Sequence, residues 1–586
     1  MPEPSGESAV GTTRLERLPF AAPHPAAAGP LSWAQRRILY IIDAMHPFTA
    51  PLNIAQVLSL RSGISEADLR QRIVDLVETF DALRTTYVSP PAGPAQRVMQ
   101  AGELDVYTVD YKSEPTLIEL RNEAQKLAGA SFDISAEVPI RFAVAKVEGM
   151  PRYLLCAASH LVIDASALKP IASYLRDLLA YPPDRAAMAE RHHPLDEAAW
   201  ERSAEGRRQG ERALQEHERT LRSMPQTIFP RKSVEYEGPR FRNLECRSTA
   251  LAMAVPALAA RYKVTSTAVI YAGICAIAGH VGDLERAFLQ LTLSNRTNGR
   301  RRNSVGIFTQ DVPVAVELRR ARLSDVITSA GQAIMSAIRF GRYPADEMLG
   351  RQSAIEIERG VAFDLSCWLN DRRVSSGVVP SLDAPGADAL MSALKNTKWR
   401  WKEEPYESST STLFIFADDA GDAIKLTALI DTRVLPPDEA VAWMKAVERL
   451  LCAAVLEEIP LSAIGKHVDL VPARKGAGWS VIDSSWIHLP TVTRLLTRAS
   501  EGRSAGVFTE ATERGRRLIA YIDGSGSPVD TVRLHRSVVN ALRESPEEFR
   551  TAMAPHRYRM CARRPLGTSL SDWRQMPVLI DGTGRE

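Results

Sequence analysis

Apolar positions recur along nearly the whole chain, alternating between helical and strand periods. Order is expected to begin at Leu31-Ser32-Trp33-Ala34-Gln35, with Ser32 as N-cap and Trp33, Ile38, Ile41 and Ile42 at helical spacing to about Ala44. Asn53 to Leu60 alternates as a strand. Glu66 to Thr86 predicts an amphipathic helix through Leu69, Ile73, Leu76 and Val77. Ile140 to Val147 and the apolar run Tyr153 to Ala158 predict two strands joined by the turn Glu148-Gly149-Met150-Pro151. Ala167 to Ala180 predicts a helix with Pro170 in its first turn. After a polar connection, Pro182 to His193, comes a charged helix, Ala199 to Met224. A second unit opens with Thr265 to His280, apolar nearly all round and so expected to be buried. Strands are expected near Ala287–Leu293, Val361–Leu369, Leu413–Phe416 and Lys425–Ile430, then a long helix from Asp438 to about Glu457. Past Pro460 the character changes again, with a strand at Arg517–Ile522 and a helix at Thr531–Leu542.

This pattern predicts an α+β chain with a disordered arm over 1–28, lobes over 29–195 and 196–465, and a C-terminal piece over 466–586. Length agrees, since 586 residues exceed a single core. Composition adds exclusions. With 73 Lys+Arg against 70 Asp+Glu, the formal charge is +3, which argues against a nucleic-acid binder. No apolar run is long enough to span a membrane, and the N-terminus lacks the pattern of a signal peptide. The six cysteines, none in a CxxC pair, suit a reduced cytoplasm, and no metal site is expected.

The chemistry-bearing stretch is Ser159-His160-Leu161-Val162-Ile163-Asp164-Ala165. A buried strand runs into a His, then a turn, then a helix. A strand end can hold an imidazole rigidly at a cleft mouth, where it can accept a proton from an amine or hydroxyl. The carboxylate four residues on can pair with an Arg and fix the loop. Two similar features read as decoys. His192-His193-Pro194 has no apolar strand before it and predicts a surface connection, and Arg300-Arg301-Arg302 predicts a solvated loop. Cys156 lies on the strand before His160, and its apolar neighbours favour burial.

Around this stretch the sequence resembles the condensation domains of nonribosomal peptide synthetases, over roughly residues 30–460. Leu31 to Arg37 resembles the opening motif, usually S-x-A-Q. Asp81-Ala82-Leu83-Arg84-Thr85-Thr86-Tyr87 resembles the second, usually H-E-x-L-R-T-x-F, and Ser159 to Ala165 stands where the family has H-H-x-x-x-D-G. Leu195 to Trp200, then Asn295-Arg296 with Val305-Gly306-Ile307-Phe308, then Tyr343 to Glu347, follow the later motifs in order. The departures are Ser159 for the first His, Ala165 for the Gly, and Thr309-Gln310-Asp311 where V-N-T is usual.

The resemblance implies two chloramphenicol-acetyltransferase-like lobes forming a V, with a tunnel at the hinge. It makes His160 the catalytic residue, as general base or as a positioner of the nucleophile; both roles stay open. Asp164 and Arg296 would support the site as an ion pair, with Ser159 and Ala165 shaping the loop. Ser166, Gly306, Phe308, Gln310 and Trp368 would line the tunnel. The implied reaction joins a carrier-bound acyl or aminoacyl thioester to an amine in a nonribosomal peptide or hybrid pathway. The carrier protein would act in trans and present the donor on its phosphopantetheine arm; no cofactor is held tightly. The acceptor is a free amine or a second carrier-bound group. An alcohol acceptor would give an ester, and an inactive scaffold that recruits assembly-line partners is the rival reading. The expected enzyme is free-standing, cytoplasmic, and bound to neither nucleic acid nor membrane.

The C-terminal piece resembles the small C-terminal subdomain of adenylation enzymes. Arg516 to Ile522 is similar to the R-L-V-A-Y-V strand, and Met576 to Thr583 stands where the family has L-P-x-T-x-N-G-K, with Thr583 in place of the lysine. No adenylation is therefore expected from it.

Overall fold

The computed structural model describes residues 14–585, apart from 90–92, 181–191, 298, 320–321, 374–384, 404, 407, 474, 514 and 526–528. Residues 1–13 of the expected arm and 182–191 of the expected connection lie outside the described residues. The chain divides into two units. Unit 1 comprises residues up to Arg212 together with Ser294–Gln310 and Arg342–Asp346, and unit 2 the remainder.

Among its described residues unit 1 has eight strands: β1 (Arg14–Ala21), β2 (Ala27–Pro30), β3 (Ile54–Ser59), β4 (Thr85–Val88), β5 (Ala95–Val98), β6 (Ala101–Tyr111), β7 (Ile140–Val147) and β8 (Met150–Ala158). A five-stranded sheet has the order β1-β6-β7-β8-β3, and a three-stranded sheet the order β2-β5-β4. Only β6 and β7 run parallel in the larger sheet, joined through the helix Leu117–Gly129. β7 and β8 are buried along most of their length, which explains the continuous apolar run of β8.

The expected arm is corrected from residue 14 onward. Arg14–Ala21 pairs antiparallel with Ala101–Thr108, and Leu18 and Phe20 point into the core while Arg17 and Pro19 face outward. That alternation is hidden in the sequence by the Pro- and Ala-rich stretch that follows. The Phe20 ring lies where a side chain at Gly102 would sit, 2.9 Å from a Cβ built there, so β6 needs glycine at that point. The expected helix Glu66–Thr86 ends at Thr79. Phe80 is extended, Asp81–Arg84 forms a 3-10 turn, and Thr85 opens β4. Ala167–Ala180 is likewise shorter, a helix over Leu168–Tyr174 with a separate turn at Arg176–Leu178.

Unit 2 carries β9 (Phe241–Ser248), β10 (Arg286–Leu293), β11 (Gln310–Glu317), β12 (Cys367–Asp371), β13 (Trp399–Trp401), β14 (Leu413–Ala420) and β15 (Ala423–Asp431) in one sheet, ordered β11-β10-β12-β14-β15-β9-β13. The helix Ser266–Gly282 is buried almost throughout, with Thr265 as its N-cap. The closing helix spans Pro437–Leu456. The expected strand Val361–Leu369 begins only at Cys367; residues 361–366 form a loop held by Asp364. The hairpin β16 (Trp479–Ile482) and β17 (Ser485–His488) precedes a four-stranded sheet of β18 (Ala505–Thr512), β19 (Gly515–Asp523), β20 (Arg557–Cys561) and β21 (Val578–Gly582).

The expected boundaries shift, and the first unit runs on to Arg212 rather than ending at 195. Residues 294–310 and 342–346 return to unit 1, and the piece 466–586 belongs to unit 2 rather than standing apart. Its attachments are polar as well as apolar: Arg543 donates to Glu356 at 2.7 Å, and His535 Nε2 donates to the Ile357 carbonyl at 2.7 Å. No single helix among the described residues is long and apolar enough to cross a membrane.

Candidate active site

β8 delivers Ser159 and His160 at its C-terminal end. The chain then turns back on itself: Leu161 N donates to Ser159 Oγ at 3.3 Å, and Val162 N to the Ser159 carbonyl at 3.1 Å. Ser159 is buried, and its hydroxyl orients the loop. His160 is half-buried. Its Nδ1 lies 2.8 Å from the Ile163 carbonyl, which can only accept, so Nδ1 carries the hydrogen and the lone pair of the neutral ring sits on Nε2.

Asp164 has a different task. Asp164 is 2% exposed, and its carboxylate accepts four hydrogen bonds, none from His160. Ala167 N (3.0 Å) and Arg296 Nη2 (2.9 Å) donate to Oδ1, while Phe308 N (3.0 Å) and Thr309 Oγ1 (3.1 Å) donate to Oδ2. Arg296 in turn donates to the carbonyls of Arg301 and Ser304, both at 2.7 Å, and of Gly306 at 2.9 Å, and lies over the Phe308 ring. Asp164 thus ties the His160 loop to the 296–309 segment. Ala165 opens a 3-10 turn, Ala165–Ala167, whose backbone any residue adopts, so a methyl meets no conformational penalty there. Ser166 is half-exposed beside it.

Gly306 is buried, and a Cβ built on it would approach Phe308 Cε2 to 3.2 Å. Gln310 forms a reciprocal pair with the Tyr343 backbone, donating to its carbonyl at 2.8 Å. His160, Ser159, Asp164, Ala165, Ser166, Arg296, Gly306, Phe308 and Gln310 therefore all belong to unit 1. Trp368 belongs to unit 2, on β12, stacked on Phe414 at 5.5 Å.

The loop is braced from behind. Ser32 and Gln35 form a capping box at the helix Trp33–Met45. Gln35 Nε2 donates to Tyr87 Oη (3.2 Å) and Gln96 Oε1 (3.0 Å), and Tyr87 Oη donates to the Leu161 carbonyl at 3.0 Å. Full burial pushes the Tyr87 phenol up, so it stays a donor.

Two sequence readings are corrected here. Arg301 is buried, not solvated, and its Nε donates to Glu197 Oε2 at 2.7 Å. His192 is not a free surface residue: its side chain is 11% exposed, its Nε2 is 2.6 Å from the same Glu197 oxygen, and its ring stacks on Phe308. Arg342 also pairs with Glu197 and lies over Trp200. Burial would raise the Glu197 carboxyl, but His192, Arg342 and Arg301 carry it below its ordinary value. Glu201, buried beside it, is pushed up by desolvation and by Glu197's charge. Sequence reasoning missed this cluster although it had picked out Leu195–Trp200, because the two arginines that pair with Glu197 lie more than a hundred residues away. Cys156 is buried, with its thiol pushed up to about 12, and cannot serve as a nucleophile. Among the described residues no group of His, Cys, Asp and Glu could hold a metal ion.

With this geometry in view, comparisons with known proteins place the chain. A family model described as "Condensation domain" matches residues 27–364, more than half of its length. The chain is 23% identical over 535 residues to surfactin synthase subunit 2 of Bacillus subtilis (strain 168), covering 86% of this chain and 14% of that one. It is 25% identical over 336 residues to isonitrile lipopeptide synthase of Mycobacterium tuberculosis, covering 54% and 13%. It thus spans about one-seventh of these relatives. Among solved structures, the condensation domain of the Monacolin K polyketide synthase MokA superposes with a TM-score of 0.58 at 14% identity, covering 74% of this chain and 99% of that one. The X-domain from teicoplanin biosynthesis does so with 0.56 at 16%, covering 77% and 99%. The fold is thus the expected mixed α+β, chloramphenicol-acetyltransferase-like one, and the chain belongs to the condensation-domain family.

Proposed function

We propose that this chain forms an amide bond between an acyl or aminoacyl thioester, presented on the phosphopantetheine arm of a carrier protein, and an amine acceptor. The amine nitrogen attacks the thioester carbonyl, the C–N bond forms, the C–S bond breaks, and the thiol leaves with a proton. His160 Nε2 receives the amine proton or orients the amine, and Asp164 and Arg296 hold its loop without touching substrate. Thioester aminolysis is downhill, so holding the two reactants together supplies much of the acceleration. The observation that supports this reading most directly is the His160 tautomer, fixed by the Ile163 carbonyl, with no hydrogen bond to Nε2 among the described residues. The reading takes the acyl group from a carrier outside these 586 residues, and treats residues 466–586 as a packing piece without adenylation activity. An alcohol acceptor would give an ester by the same geometry.

The test loads a carrier with a panel of acyl groups, adds free amines, and follows product by mass spectrometry. Wild type is expected to form amide, and His160→Ala to lose at least about 10²-fold in rate with its fold intact. A second reading, a recruitment scaffold, is favoured by Ser159 at the position of the family's first His. It predicts no product from any pairing and unchanged partner binding in His160→Ala.

A further inference from the structure

The hairpin β16–β17 in unit 2 has two unlike faces. Ser480, Ile482, Ser485 and Ile487 are buried. On the opposite face Trp479 pairs across the strands with His488, and Val481 with Trp486; none of these four is buried, and Val481 is 38% exposed. The Trp486 indole is fixed by its Nε1, which donates to the Asp283 carbonyl at 2.7 Å. Lys475, four residues before Trp479, lies on this apolar bed. Its Nζ is 4.6 Å from the centroid of the Trp479 ring and 5.8 Å from that of Trp486, and it donates to the Pro230 carbonyl at 2.7 Å.

This lysine has no counter-ion. Lys126 and Lys146 each stand 2.6 Å from a carboxylate and Lys425 stands 2.9 Å from one, whereas among the described residues no carboxylate comes within ion-pair distance of Lys475. The charged groups that face it are the Arg231 guanidinium, next to Pro230 and itself paired with Glu439, and the Asp283 carboxylate at the end of the helix Ser266–Gly282. The indole rings and Asp283 favour an ammonium. Burial and the like charge of Arg231 oppose it and bring the amine down to about 8. A neutral lysine beside another cation and against apolar walls is an activated nucleophile. While it donates one N–H to the Pro230 carbonyl, its lone pair points away from that oxygen.

We propose that Lys475 is a modification site for acyl thioesters, its amine taking the acyl group to become an Nε-acyl-lysine on the outer face of the hairpin. The amine nitrogen attacks the thioester carbonyl, the N–C bond forms, the C–S bond breaks, and the proton lost by nitrogen leaves with the thiol. The amide product keeps one N–H for the Pro230 carbonyl, lays its hydrocarbon along Trp479, Trp486 and Val481, and removes the positive charge facing Arg231. The step uses no group of the His160 loop and does not depend on the amide-forming reaction proposed above.

The full chain incubated with the hexanoyl thioester of N-acetylcysteamine, then digested and read by peptide mass spectrometry, tests this. At pH 8 about half of an amine with its midpoint near 8 is neutral, against well under ~1% of an ordinary lysine, so Lys475 should be acylated at least about tenfold faster than the exposed Lys126. Its rate should level off above pH 8.5 while that of Lys126 keeps climbing. The preference should vanish when the chain is unfolded in urea, and Lys475→Arg should remove this label alone. Arg231→Gln takes away the neighbouring cation from a half-exposed position; it should slow labelling of Lys475 at pH 8 at least about threefold and leave Lys126 unchanged. His160→Ala should label as wild type does. Labelling of Lys475 no faster than of Lys126, a preference that survives unfolding, indifference to Arg231→Gln, or loss of the label in His160→Ala would overturn the proposal.

Discussion

The ring of His160 is aimed by a main-chain carbonyl rather than by the carboxylate four positions on, and this separates the roles of the two residues. Asp164 spends both oxygens on four donors, three of them from outside its own turn. Asp164→Asn replaces one acceptor oxygen with an NH2 group facing donors and leaves Arg296 buried without its counter-ion. The expected cost is about 3–5 kcal/mol of stability, read as a lowered urea midpoint. The partnership of Asp164 with Arg296 was legible in the sequence because both fall in ordered motifs. The Glu197 cluster was not. Its cations sit 104 and 145 residues away, and nothing local distinguishes a buried Arg301 from the exposed Arg302 beside it.

Individual elements were legible where one period held from end to end. β7 spans the residues its alternation predicts, and the buried helix Ser266–Gly282 was marked by its apolar circumference. The reading overran where a turn imitates helical spacing. Ala82 and Leu83 continue the apolar series of Leu76 and Val77, yet Arg84 folds inward to Asp81 and to the Met99 carbonyl and stops the helix. That stop is what lets β4 present Tyr87 to the His160 loop. Tyr87→Phe keeps the packing but leaves the buried Leu161 carbonyl without this donor. It should cost about 1–3 kcal/mol, measured by chemical denaturation.

Across the whole molecule, buried titratable groups set an acid limit. His217 and His535 are almost fully buried, and burial lowers each to about 4 from an ordinary value of 6.5. A histidine held neutral in the fold contributes stability that is complete above pH 6.5 and lost as pH falls toward 4. Each should lower stability by up to about 1.4 kcal/mol per pH unit within that window. Glu197, held below its ordinary value, adds to the loss at lower pH. Urea midpoints measured from pH 7.5 down to 4.5 are expected to hold to about pH 6.5 and to fall below it; a profile flat throughout would contradict the neutral burial of these rings. The interleaving of the units, with 294–310 and 342–346 returning to the first, was not legible because no composition change marks it.

The N-terminal strand has a consequence for how this protein is handled. It covers eight residues of the eleven-residue β6, placing charged Arg14, Glu16 and Arg17 on the outer border of the sheet. A version trimmed to start at Leu31 would keep every residue assigned to chemistry here. It would also bare a long row of unpaired amides and carbonyls that another molecule can zip onto. Such a version should scatter light and precipitate at concentrations where the untrimmed chain stays clear.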